Sequence, residues 1–102
     1  MSVSSLLSAA AALIATETAW SKGANARDAD GNYCPILSPN AESWDLFGAL
    51  VKARADENET LDIFHSAYSV IRKNIPSDRK NQDIESYNDE MDFGDVAAMF
   101  VE

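Results

Sequence analysis

Apolar residues recur through most of the chain with the period of a helix. From Ala41 to Ala55, AESWDLFGALVKARA, residues Trp44, Phe47, Gly48 and Val51 fall at i, i+3, i+4 and i+7. Leu46 and Leu50 widen that stripe, while Asp45, Lys52 and Arg54 lie largely off it. The spacing predicts a central helix, with Asn40 as its N-cap and Glu42 near its positive end. Glycine in a helix interior costs about 1 kcal/mol against alanine. Gly48 is therefore expected where another backbone approaches closely. Val3, Leu6, Leu7, Ala10, Leu13 and Ile14 form a second stripe. It predicts a first helix from Ser4 or Ser5 to Ser21, with Lys22 and Gly23 at its C-terminal end. Leu61, Phe64, Tyr68 and Ile71 predict a third helix, Leu61 to Asn74, capped by Asn58 or Thr60 and stopped by Pro76.

Breaks in periodicity place the rest. Asn25 to Asn40 contains Gly31, Pro35 and Pro39, and Asp30-Gly31 is a tight-turn signal. Tyr33 and Ile36-Leu37 are candidate extended pieces of a small hairpin beside that turn. Ser77 to Asp83 is polar and aperiodic, a surface loop. Ile84 to Asn88 is expected to make a short helical turn that buries Ile84 and Tyr87. Asp92 is positioned to cap a last helix, Phe93 to Val101. The expected fold is mostly α: one compact domain over residues 1–102, with four to five helices and a small hairpin between the first two.

Charge changes the picture more than composition does. The chain of 102 residues carries 17 acidic against 8 basic residues, a net charge of −9. Such a surface repels nucleic-acid phosphates and suits a basic protein partner. Leu6 to Ala15 resembles the apolar part of a signal peptide, but no Lys or Arg precedes Lys22. The run is also too short to span a bilayer. A helix of a cytoplasmic protein, in a bacterial host cell, is the expectation. Cys34 is the lone cysteine, without a partner for an internal disulfide or the ligands of a zinc site.

Candidate chemistry is sparse. Asp28, Asp30 and Asn32 stand at positions one, three and five of a calcium-loop pattern. Position six is Tyr33 rather than glycine, and position twelve is Pro39 rather than glutamate. An Asx turn is the expected reading there. His65, with Asp62 three residues earlier, reads as a structural or surface histidine. Asp83, Glu85, Asp89, Glu90, Asp92 and Asp95 concentrate negative charge near the C-terminus. They are candidates for a patch that docks on a basic groove, competing with simple capping and solvation. No phosphate loop, nucleophile elbow or paired-carboxylate motif occurs. Neither a catalytic residue, a metal nor a cofactor is expected.

Two further stretches carry a resemblance. TAWSKGANARDADGNYC (Thr18 to Cys34), followed by SWDLFGALVKA (Ser43 to Ala53), and then DIESYNDEMDFGDVAAMF (Asp83 to Phe100) share one order and spacing. Together they resemble a family of small proteins of bacteria and their phages catalogued as domain of unknown function 6197. Trp20, Gly23-Ala24, the run Ala26 to Gly31, Gly48-Ala49-Leu50, Ile84, Asn88-Asp89 and Asp95-Val96 stand in matching places. The chain departs at Tyr87, where the family pattern has tryptophan, and at Ser43 and Asp45. The resemblance implies a bacterial or phage origin and brings no activity with it.

The functional expectation is a non-catalytic protein-binding module. Its concrete form is a phage anti-defence protein, such as an anti-CRISPR inhibitor, that blocks a basic nucleic-acid-handling partner. One alternative is a small enzyme or ligand-binding protein using Asp28, Asp30, His65 and Asp89. Another is a structural homo-oligomer, such as a homodimer, formed through Trp20 or Trp44.

Overall fold

A computed structural model describes residues 2–79 and 81–102. Helix α1, Val3–Leu13, starts where Ser2 Oγ accepts the Ser5 backbone N–H at 3.1 Å. It buries Leu6, Leu7 and Ala10, and its small alanine face packs against the next two helices. The helix stops well short of the expected Ser21. Ile14 leaves helical geometry and turns into the core, 2 % exposed. The β-branched Thr16 then precedes, and Thr18 lies within, a 3-10 turn at Glu17–Ala19. Gly23 is consequently a loop residue with φ +75°, not the end of α1.

A two-stranded antiparallel sheet follows. Strand β1, Ala26–Asp28, pairs with β2, Ala41–Trp44, in the register Ala26 to Trp44, Arg27 to Ser43 and Asp28 to Ala41. The hairpin thus lies between the first two helices, as expected, but on other residues. Asp28 to Asn32 turns the chain, Tyr33 makes only a single bridge to Arg27, and Ile36-Leu37 belongs to the connection.

Helix α2, Leu46–Asp56, begins six residues after Asn40, the expected cap. Asp45 is its N-cap, with Oδ1 accepting the Gly48 N–H at 2.6 Å. Residues 41–44 satisfy their backbone on β1 instead of in a helix. Trp44 is therefore a strand residue, and Asp45 is buried rather than turned to water. Gly48 meets the expected close approach: a Cβ there would stand 2.1 Å from the Asn25 carbonyl oxygen.

Helix α3, Leu61–Asn74, is capped by Thr60 and ends at Ile75, which is extended ahead of Pro76. A 3-10 turn at Ser77–Arg79 leads to α4, Ile84–Glu90, capped by Asp83. Helix α5, Phe93–Ala97, runs into a 3-10 turn, Ala98–Phe100. Asn74 Nδ2 donates to the carbonyls of Met99 and Val101 and ties this end to α3. Leu6, Leu50, Ile71, Ile84, Val96 and Phe100 bring every helix into one core. The radius of gyration, 12.6 Å, matches the roughly 13 Å of a single domain this long. Among the described residues no helix is long and apolar enough to cross a membrane.

Candidate functional site

The loop before β1 is held from both sides. On one side lies the β2–α2 junction: Ser21 N–H donates to the Trp44 carbonyl at 2.9 Å, and Asp45 N–H donates to the Asn25 carbonyl at 3.2 Å. On the other lies α4. Asn88 is completely buried and every polar atom of its side chain is used. Its Oδ1 accepts from Trp20 Nε1 at 2.7 Å and from Leu46 N–H at 3.1 Å. Its Nδ2 donates to the Ser21 carbonyl at 2.9 Å and to Asp89 Oδ1 at 3.1 Å. Asp89 Oδ1 also takes the Gly23 N–H at 2.9 Å.

Between these supports opens a polar cleft of about 140 Å³, lined by Gly23, Ala24, Asn25, Asp45, Glu85 and Asp89. Glu85 and Asp89 are i and i+4 on α4, so both face it. Asn25 Nδ2 bridges two acids, donating to Asp45 Oδ2 at 2.9 Å and to Glu85 Oε2 at 2.7 Å. Burial pushes the Asp45 carboxyl up to about 6 from 3.8. Hydrogen bonds from Gly48 and Asn25 oppose that shift, and the negative charges of Glu85 and Asp89 reinforce it. The cleft presents acceptors, so it complements a cation or a hydrogen-bond donor. Among the described residues no group of three or more His, Cys, Asp or Glu is placed to hold a metal ion.

The C-terminal acids divide by role. Glu85 and Asp89 line the cleft. Asp83 caps α4 by accepting from Ser86 N–H, and that bond lowers its pKa. Glu90 accepts from Arg79 at 3.1 Å and from Gln82. Asp92 and Asp95 are exposed at the start of α5, and Asp92 holds the N-cap position without a side-chain cap bond. The residues of the enzyme alternative are not gathered. Asp28 and Asp30 line a second open cleft, with Asn40 and Glu42. Asp28 Oδ1 accepts the N–H groups of Asp30 and Asn32 at 3.0 Å, the expected Asx turn. His65 is exposed on α3, its ring centroid 5.8 Å from that of Phe64. Cys34 is half-buried and free.

A model of one protein family matches residues 1–102, the whole chain. The chain belongs to the family of unknown function DUF6197. Among curated proteins and among solved structures, no match to it is found. The segments that carry the DUF6197 resemblance meet at this one place. The first supplies Trp20, Gly23 and Ala24, the second Gly48, and the third Asn88 and Asp89. Arg27, from the same first segment, braces the loop by donating to the carbonyls of Gly31 at 2.8 Å and Lys22 at 3.0 Å. Asn25 and Asp45 are cleft residues that periodicity does not single out. Asp45 did carry a signal, an Asx residue three positions before Gly48 at the head of an apolar run.

Proposed function

We propose that this protein is a non-catalytic binding module that docks a basic protein partner on the acidic surface of α4 and α5. The observation that carries the reading is the placement of carboxylates. Residues 83–102 contain seven acidic residues and no Lys or Arg. Asp45, Glu85 and Asp89 converge on one open cleft, where the hydrogen-bond donors are neutral amides of Asn25, Gly23, Gly48 and Asn88. Neutral donors leave the negative field of the cleft largely uncompensated, which favours an incoming cation. In its concrete form the module is a phage anti-defence inhibitor, anti-CRISPR-like, working in the cytoplasm of a bacterial host. It blocks a nucleic-acid-handling protein by occupying its basic groove.

The test begins with capture of the partner from a defence-active bacterial lysate, followed by stopped-flow association. Replacing Glu85, Asp92 and Asp95 with Gln, Asn and Asn is expected to slow association and flatten its salt dependence. Exposed charges steer encounter over about a Debye length, roughly 8 Å at physiological salt. Melting temperature should stay nearly constant. Association rates that ignore both salt and these substitutions would refute the reading. One observation favours an enzyme reading on a residue outside Asp28, Asp30, His65 and Asp89: the buried Asp45 carboxyl, with pKa about 6 inside a cleft, is suited to proton transfer. Turnover by the purified protein that is lost in Asp45→Asn would establish an enzyme centred on Asp45.

A further inference from the structure

The two tryptophans are held differently. Trp44 is buried and its indole N–H donates to the Ile36 carbonyl at 3.1 Å. Trp20 is half-buried and is linked through Asn88 to Asp89 of the acidic cleft. Its ring lies 5.8 Å from that of Phe93, tilted by 48°, and the Nζ of Lys22 sits 5.1 Å from its centroid. An ammonium within about 6 Å of an indole face is attracted by the ring quadrupole. The Trp20 N–H bond to Asn88 fixes the ring's orientation, and Asn88 in turn donates to Asp89. Two hydrogen bonds thus join the aromatic face to a carboxylate of the cleft. Phe93 follows directly on Asp92, so the second ring arrives with the exposed acids of α5.

We infer that the face of Trp20 seats a lysine or arginine side chain of the protein partner, and that Lys22 holds this place in the free protein. The inference rests on the docking reading above and adds its anchor. Lys22 is exposed, on a flexible four-carbon stem, and shows that an ammonium fits the face. Asp89, bonded to Asn88 and to the Gly23 N–H, brings complementary charge to this loop. A tryptophan clamped through its own N–H loses little freedom on binding, the property of an interface anchor. The resident lysine also confers selectivity. A single cation must compete with Lys22, whereas a basic cluster meets Glu85, Asp92 and Asp95 as well and displaces it.

The probe is a short fluorescent peptide of alternating lysine and glycine, followed by anisotropy at low and physiological salt. Lys22→Ala and Lys52→Ala remove the same charge, but Lys52 lies on α2, paired with Asp56. Lys22→Ala should tighten binding about two- to fivefold more than Lys52→Ala does. Trp20→Leu should weaken binding and cancel that gain; if it melts, the comparison of the two lysine variants decides alone. Equal effects of Lys22→Ala and Lys52→Ala overturn the anchor. If Glu85→Gln still weakens a salt-sensitive complex in that case, the docking reading stands without it. Failure of the unaltered protein to bind the peptide at low salt overturns both. Self-association of Lys22→Ala without peptide would assign the face to a second copy and also overturn the inference.

Discussion

Asp45 should make the protein less stable at neutral pH than in mild acid. The residue is 2 % exposed, and burial raises its carboxyl pKa from 3.8 to about 6. An acid with a raised folded-state pKa holds its proton more tightly when folded. The stability it lends is fully present below the unfolded value and is lost as pH climbs through the folded one. A shift of about two units, at 1.36 kcal/mol each, corresponds to a loss on the order of 3 kcal/mol between about pH 4 and about pH 7. The steepest slope for one proton is about 1.4 kcal/mol per pH unit. Asp83 acts with the opposite sign, because its pKa is lowered. Its contribution is lost as pH falls below about 4, outside the window of Asp45. Urea unfolding at fixed ionic strength across this range should therefore show falling stability from about pH 4, levelling above about pH 7. Asp45→Asn keeps an N-cap oxygen for the Gly48 N–H and removes the proton, so its profile should lack that fall. Identical profiles for the two proteins would refute the reasoning. The decline would then belong to general repulsion among the acids of a chain with net charge −9.

Two other predictions concern residues on either side of Asp45. Gly48→Ala would ordinarily stabilise a helix by about 1 kcal/mol. Here its Cβ would stand 2.1 Å from a backbone carbonyl, so a net loss of about 1–3 kcal/mol is expected; unchanged or raised stability in thermal melting would place Asn25 elsewhere. Trp44→Ala removes an aromatic only 8 % exposed together with its bond to Ile36, and should cost about 3–5 kcal/mol. A melting temperature lowered by only a degree or two would mean that the ring is not in the core.

Helical content and much of the core follow from the spacing of apolar residues along the chain. Local signals suffice where a stripe and its cap agree: Thr60 before Leu61 and the stop at Pro76 rest on residues within one turn. The same holds for Gly48, whose cost inside a helix already implied a close neighbour, whereas Asp83, expected in a surface loop, caps α4. The start of the central helix depends instead on pairing with a distant strand. AESW continues a helical stripe in one dimension, but in the fold its backbone finds β1, and Asp45 caps the helix instead of Asn40. The length of α1 was settled likewise, since Ile14 is drawn out of the helix into the core. The cleft was least legible. Asn25, Asp45 and the Glu85–Asp89 pair are far apart in the chain, and only that pair shares a helical spacing. They become one site because Asn88 ties the Trp20–Gly23 loop to α4, and the bare Cα of Gly48 lets Asn25 sit against α2. Spacing reports what a residue does along its own helix; the electrostatics of a cleft depend on which distant helices close around it.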